Sequence, residues 1–507
     1  MTGFCTDKRA RSASSYPVSL TLLVGMAVWV CGCSQATQQE EVVAYTTADV
    51  QVDSTTAGEV GSSQLCVAGS TVYAVWHDDR QSGRHQVFFD AGRAGGQNWG
   101  DVDVQLSLDP SGGQSLAENP DIACAGDSVY VVWEDDRDSE LGLKNVYFAY
   151  SDDGGRQWFP QVDGVFQGGE RVTSDPDGEW DALGPRISVD YDPELSPDKL
   201  VYISWYDGRR GAYDIYFTRN VNAHSPEEEI RLDTDLPGSA YSAHPIVATD
   251  GLGGVFVAWE DSREGSNDVY LNRSMDWGVN WLATDVRLDG AGETPSDAFG
   301  VTMSVDREAT PTAVHVAWHD DRNGAKDIFV AASLDAGGTW PTEPSRVDND
   351  VEGGANSFYP SVTASGGRVL VAWHDDRDVG YDIFLRGSDD GGQNWASEYR
   401  IDTDVAGSAH SLSARMARDE DRVALVWSDF RALASLEGEP HPDIYLRTSM
   451  DGGQLWSEEE ERVDDDPQST AISSDPQIAI AGPLLHILWT DYRLGKADLW
   501  YRSMPAP

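Results

Sequence analysis

Three stretches of the chain read AVWHDDR (74–80), VAWHDDR (316–322) and VAWHDDR (371–377). A histidine beside two carboxylates is the composition of a metal centre or of an acid/base pair. The same residues also suit a turn in which aspartate accepts backbone N–H groups. The choice depends on whether the stretch is unique, because a group that recurs at a fixed period is a structural element first.

It is not unique. The pattern W-x-D-x-R occurs eight times, at Trp76–Arg80, Trp133–Arg137, Trp205–Arg209, Trp259–Arg263, Trp318–Arg322, Trp373–Arg377, Trp427–Arg431 and Trp489–Arg493. The copies are spaced from 54 residues (Trp205 to Trp259) to 72 (Trp133 to Trp205). Each follows an alternating apolar run such as VYAVW or VLVAW and precedes another such as DIYF or DIFL, which together read as a β-hairpin. Upstream lies a third run, often entered through proline: NPDIACAG, GPRISVD, HPIVATDG, YPSVTASGG, DPQIAIAG. Downstream lies a fourth: IRLDTD, VRLDG, SRVDND, YRIDTD, ERVDDD. Four short antiparallel strands repeated eight times predict an all-β fold, a single eight-bladed β-propeller of four-stranded antiparallel blades. The last repeat stops after its third strand, while an extra fourth-strand lookalike, DVQVDS at 49–54, precedes the first. The N-terminal strand is therefore expected to complete the last blade, which would leave no exposed sheet edge at the seam.

Alternation along a strand puts Trp318, Asp320 and Arg322 on one face and His319 and Asp321 on the other. The repeated trio is expected to be scaffold. A tryptophan buries on the order of 200 Å², and the arginine is expected to bridge Asp320 to Asp327 at the head of the next strand. The residue after the tryptophan varies instead: His77, Glu134, Tyr206, Glu260, His319, His374, Ser428 and Thr490. These positions are expected on loops between second and third strands, on one face around the propeller axis, where variation on a fixed scaffold confers specificity. A ring with three histidines and two glutamates could hold a metal or a polar ligand. The alternative is a set of solvated loop side chains too far apart to converge. Arg186 and Arg415, on first strands and outside the trio, join His77, Glu134, Tyr206, Glu260, His319 and His374 as candidate ligand-binding residues.

Two further sets could do chemistry. Asp233/Asp235, Asp348/Asp350, Asp402/Asp404 and Asp464/Asp466 are D-x-D pairs at fourth-strand exits, offering oxygen ligands to Ca²⁺, although none completes an EF-hand loop and aspartate is also an ordinary turn residue. Cys66 and Cys124 occupy equivalent first strands of consecutive blades at opposite parity. They are either a disulfide across facing blades or two buried thiols.

Between third and fourth strands, five blades carry S-x-D-x-G-x-x-W, as SDDGGRQW, SMDWGVNW, SLDAGGTW, SDDGGQNW and SMDGGQLW, with Asp153, Asp276, Asp335, Asp390 and Asp451 at the fixed position. These resemble the Asp box of the sialidase-like BNR repeat family. The resemblance implies that the box aspartates are structural and lie away from any active site. It also implies an exo-sialidase with an arginine triad on the substrate carboxylate, a Tyr/Glu nucleophile pair and an Asp acid/base on six blades. The chain departs from that pattern: it has eight repeats, and GPRIS at 184–188 lacks both the aromatic and the final proline of the family's arginine motif. No G-x-S-x-G, H-E-x-x-H, Walker A or paired C-x-x-C occurs either.

Thirty-six Lys+Arg against 86 Asp+Glu give a formal charge of −50, which repels phosphate backbones and excludes nucleic acid as a natural partner. Lys8, Arg9 and Arg11 precede an apolar run, Val18 to Val30, of secretory length, and no later segment is long and apolar enough to be a transmembrane helix. The VCGCS that follows resembles a bacterial lipobox, which implies lipidation at Cys33. The chain is thus expected as a leader (1–33), a polar tether (34–48) and a propeller (49–507). That makes it a monomeric outer-membrane or surface lipoprotein touching the membrane through its lipid alone, or a periplasmic or secreted protein if not lipidated. The expected function is binding of a glycan, peptide or protein partner on the variable face, with a divergent sialidase-like exo-glycoside hydrolase as alternative. A third reading, a scaffold with no ligand site, would be favoured by an axial face lacking clustered aromatics and carboxylates.

Overall fold

The computed structural model describes residues 45–81, 83–113, 115–174, 180–191, 199–221, 226–290, 296–431, 441–468 and 470–507. The leader, Cys33 and the tether as far as residue 44 lie outside the described residues.

Eight antiparallel four-stranded sheets form the blades. Their first strands are Val60–Ala68, Ala117–Ala125, Ala182–Asp190, Ser242–Thr249, Ala298–Asp306, Ser357–Ser365, Ser411–Asp419 and Ser473–Ala481, in blades one to eight. Each first strand touches the next, and the eighth touches the first, so the ring is closed. In blade eight the outer strand comes from the other end of the chain, with Val50 opposite Tyr501 and Gln51 opposite Trp500. This pairing is short. It is reinforced by Val52 N–H donating to the Leu499 carbonyl (2.8 Å), Leu499 N–H donating to Asp53 (2.8 Å) and Thr46 N–H donating to Ser503 Oγ (2.9 Å).

The core is divided into eight apolar clusters, each lying between two neighbouring blades. Every cluster contains one tryptophan of the W-x-D-x-R pattern, and all eight tryptophans are fully buried. The arginine of each trio folds back so that its backbone N–H and its guanidinium both meet the trio aspartate, as at Arg377 on Asp375 (N 2.9 Å, Nε 2.8 Å). Its guanidinium also lies over a third-strand ring, 3.9 Å from Phe384 for Arg377 and 4.4 Å from Tyr216 for Arg209. Tryptophan, ring and guanidinium thus stack in order, a cation–π arrangement that alternation alone does not reveal. The arginine's far partner is not the one the sequence suggested. Arg322 stays on Asp320, and Asp327 is held instead by Arg346 of the outer strand (2.9 Å). In six blades the trio arginine reaches an acid just before the outer strand, as Asp285 for Arg263 (2.8 Å) and Glu398 for Arg377, while in blade two Arg137 reaches the Leu108 and Gly168 carbonyls instead. In blade five that position is Pro344, so no such partner exists there.

At the opposite end of the blade, the S-x-D-x-G-x-x-W segments are tight turns. In each the serine Oγ donates to the aspartate and accepts the glycine N–H, as at Ser333 (2.8 Å to Asp335, 2.9 Å from Gly337). Asp335 Oδ1 accepts the Thr339 N–H (2.7 Å), and Trp340 Nε1 donates to the Gly337 carbonyl (3.1 Å). The equivalent aspartates Asp153, Asp276, Asp390 and Asp451 accept the same N–H four residues on (2.8 Å in each). Asp276 and Asp390 are held below the usual carboxylate range, first of all by hydrogen bonds from the Asn280 and Asn394 side chains. An acid that stays ionised and is committed to its own turn is a poor proton donor. Cys66 and Cys124 are joined as a disulfide between blades one and two, with Cα atoms 6.0 Å apart.

Replacing Trp373 by alanine empties part of one blade interface, and by analogy with other large-to-small core changes it should lower unfolding free energy by about 3–5 kcal/mol. Urea denaturation measures this, and a loss under about 1 kcal/mol would contradict the interface role.

Candidate functional site

All eight first strands carry the same irregularity. Two residues are skipped by the ladder, and the first of them adopts a left-handed backbone: Ser62, Asn119, Gly184, His244, Gly300, Tyr359, Ser413 and Asp475, with φ between 47° and 68°. Such a bulge bends the strand and turns a side chain out of the sheet. Six of the eight are not glycine, and left-handed non-glycine residues concentrate at sites where strain serves function. At Gly184 the choice is forced twice, because a Cβ would also stand 2.5 Å from the Tyr206 ring.

The bulge frees a backbone N–H, and at four of the eight bulges the variable residue of the preceding blade accepts it. Glu134 Oε1 takes Gly184 N–H (2.8 Å) and Glu260 Oε1 takes Gly300 N–H (2.9 Å). His77 Nδ1 and His319 Nδ1 take Asn119 and Tyr359 N–H (3.4 Å each). The variable residues are therefore not on loops as the sequence suggested. They sit inside the second strand, directly before its trio aspartate, and all but Tyr206 are buried. Burial lowers the pKa of His77, His319 and His374 to about 4, so at neutral pH the imidazoles are uncharged acceptors. Among the described residues no histidine is grouped with others as a metal centre.

Two adjoining cavities open around the axis on this face. One, of about 560 Å³, is lined by Glu134, Arg186, Tyr206, Asn119, Ser62, His244, Asp475 and Thr490 among others. The second, of about 770 Å³, is lined by Arg186, His244, Glu260, His319, Lys326, Phe358, Tyr359 and Arg415 among others. Arg186 and His244 belong to both. The fold thus gathers six of the eight ligand-binding candidates. His77 and His374 line neither cavity: His77 stacks on His85 (4.4 Å between ring centres), and His374 packs between Tyr359 and Tyr381 (5.7 and 5.2 Å). Most charges here are paired. Lys144 joins Glu118 (2.6 Å) to Glu134 (2.8 Å), His244 meets Glu260 (3.0 Å), and Lys326 meets Asp321 (2.9 Å). The hydrogen bond to Glu260 raises the His244 pKa. Aromatic rings run along one side, with His319 5.3 Å from both Phe358 and Tyr359, and Tyr359 is 58% exposed.

Sequence reasoning missed His244, Tyr359, Asn119 and Asp475. Their signal was present: each directly precedes the proline that enters a first strand, and the residue before proline is turned away from the helical region.

The four D-x-D pairs lie farther out, each completed by the first aspartate of the third strand: Asp214, Asp327, Asp382 and Asp443 join the pairs from 233, 348, 402 and 464. Three oxygens within 4.8 Å suit a hard cation. However, an arginine already stands among them: Arg231 Nη2 is 3.0 Å from Asp214 and 2.7 Å from Asp233, and also reaches Asp235. Arg346, Arg400 and Arg462 repeat the arrangement. A calcium ion would have to displace that guanidinium, so these residues fit an internal ion pair better than a metal centre.

Burial outweighs the arginine and raises Asp233, Asp348, Asp402 and Asp464 to about 8. A folded-state pKa raised above the unfolded value near 3.8 means the native protein holds protons that the unfolded chain releases. Their contribution to stability is then complete below about pH 4 and is lost as pH rises through about 8. The Asp348→Asn variant should show a shallower loss of melting temperature between pH 5 and 9 than the parent, and excess chelator should leave both unchanged. An unaltered slope, or a chelator-dependent melt, would contradict this account.

No family model matches the chain, and no curated protein matches it. Among solved structures, similar ones include the polysaccharide lyase Uly1 (TM-score 0.46, 11% identity, covering 76% of this chain and 89% of that one). Others are a GH93 alpha-L-arabinofuranosidase of Fusarium graminearum (0.38, 11%, 76% and 92%) and a NanB sialidase mutant from Streptococcus pneumoniae (0.36, 11%, 86% and 83%). Fold and site define the class: a closed eight-bladed β-propeller with a polar, aromatic-sided axial basin.

Proposed function

We propose that this protein is an exported, lipid-anchored propeller of the Asp-box type that binds a glycan in its axial basin. One observation carries the reading: Tyr359, Phe358 and Phe299 present aromatic surface to a cavity of about 770 Å³ that is also lined by the hydrogen-bonding side chains of Arg186, His244, Glu260 and Arg415. Sugars combine apolar C–H faces with hydroxyl edges, and a cavity with a ring on one side and polar groups opposite meets both. The clustering of aromatics and carboxylates on one axial face speaks against a scaffold without a ligand site. Lipidation at Cys33 rests on the VCGCS sequence, and the Asp-box assignment rests on the five turns.

A sialidase-like hydrolase is the second reading, favoured by Tyr206, Glu134 and Arg186 lining one cavity. Burial raises the Tyr206 pKa, whereas a phenolic nucleophile needs it lowered or a base to take its proton. Glu134 is also spoken for, by Lys144 and the Gly184 N–H. Binding without turnover is therefore the expected outcome.

On a glycan array the protein should retain a defined set of oligosaccharides. Tyr359→Asn, which removes the ring while asparagine tolerates the left-handed backbone, should weaken that binding about tenfold with an unchanged melting temperature. Hydrolysis of fluorogenic sialosides abolished by Glu134→Gln would replace this reading with the hydrolase.

A further inference from the structure

The floor of the larger cavity is built from one position repeated in five consecutive blades. These are Arg186, Ile246, Thr302, Ser361 and Arg415, each the residue at which its first strand rejoins the ladder after the bulge. The arc starts with an arginine in blade three and ends with one in blade seven. In a closed ring of eight those blades face each other across the axis. Hydroxyls of Thr302 and Ser361 lie between them along the floor, although the Ser361 Oγ is already an acceptor for the Met416 N–H (3.2 Å).

Both arginines are solvent-exposed, yet both stand inside the basin. In a chain of net charge −50, nearly every other arginine is tied to a carboxylate or a carbonyl. Among the described residues the Arg415 guanidinium has no hydrogen bond and no ion pair, and the Arg186 guanidinium has only a long bond to its neighbouring Pro185 carbonyl (3.3 Å). The nearby acids are otherwise engaged. Asp121 accepts the backbone N–H groups of Ile122 and Ile187 (3.0 Å each), Glu260 serves Gly300 and His244, and Asp475 accepts the Ser474 hydroxyl (3.3 Å). Surrounding protein lowers the Arg415 pKa, with Asp475 opposing and the Arg186 charge adding to the effect. Two like charges held in one cavity without counter-ions raise the energy of the empty basin. They lower that of a complex with an anion able to meet both.

We infer that the basin takes a ligand with two acid groups set apart, one for each of Arg186 and Arg415, and that within the glycan reading this ligand is an acidic oligosaccharide of the hexuronate type. The inference rests on the binding function proposed above for its saccharide part, and on the two arginines for its charge. A sugar with a single acid group satisfies one end only.

The test uses isothermal titration of the whole protein with digalacturonate (two carboxylates), sialyllactose (one), cellobiose (none) and glutarate (two carboxylates, no sugar). Digalacturonate should bind at least tenfold tighter than sialyllactose, and weaken as salt is raised. Arg186→Gln and Arg415→Gln should each remove that preference. Neither should lower the melting temperature, because each relieves a repulsion and the one bond lost is the long Arg186–Pro185 contact. An acid preference that survives in both variants, or digalacturonate binding no better than cellobiose, overturns the inference. Cellobiose binding that depends on Tyr359 with no acid preference leaves the glycan reading standing and sinks this one. Glutarate binding that needs both arginines, with no sugar bound, supports the paired anion site and sinks the glycan reading.

Discussion

The structure depends on the aspartate of W-x-D-x-R. It accepts the backbone N–H of the arginine two residues on, and with it the guanidinium, and in several blades also the indole N–H, as at Trp259 on Asp261 (2.9 Å). One carboxylate therefore ends the second strand in seven of the eight blades and in all of them fixes the arginine over a third-strand ring. The tryptophan on the same face is carried into the neighbouring blade. The carboxylate is fully buried, so its charge is tolerable only with the guanidinium beside it. Repeated eight times, this arrangement gives each blade the same pitch and the same contact with the one before it.

That regularity has a consequence at the axis. In every blade the residue after the tryptophan pairs with the first-strand residue just before that blade's bulge, as His319 does with Phe299 and His374 with Phe358. Glu134, Glu260, His77 and His319 there accept the freed N–H of the next blade, so in those four places the inner strand bends with its donor satisfied. The bend then brings seven of the eight bulge residues to the lining of the basin. The cost of a left-handed backbone at Tyr359, His244 or Asp475 is met by packing and hydrogen bonds made elsewhere, as strained positions require. The HDD motif that resembles a catalytic cluster is thus divided: its first aspartate is scaffold, its histidine is a latch between blades at His77 and His319 but only packs between tyrosines at His374, and its second aspartate caps a neighbouring backbone, as Asp376 does for Asn356 (2.7 Å).

The outer rim uses the opposite economy of charge. At the fourth-strand exits three aspartates share one arginine, and burial pushes part of that negative charge into the protonated form. At the axis two arginines share no carboxylate. A chain of this acidity can concentrate positive charge only where the fold withholds acidic neighbours, and the first strands of blades three and seven are such places.

By itself the sequence determined the repeat, the strand count, the closing N-terminal strand and the scaffold role of the trio. Each of these depends on residues close together in the chain, and alternation, turn glycines and recurring tryptophans report local geometry directly. The S-x-D-x-G-x-x-W turns were legible for the same reason. Tertiary structure alone decided which variable residues face a cavity and which are spent between blades. Nothing near Glu260 says that its partner is the N–H of Gly300, in the next blade. Nor could spacing show that Arg346 would reach Asp327 ahead of Arg322, or that Arg186 and Arg415 line one basin. Those two are separated by most of four blades of chain, and only closure of the ring turns that separation into a position across the axis.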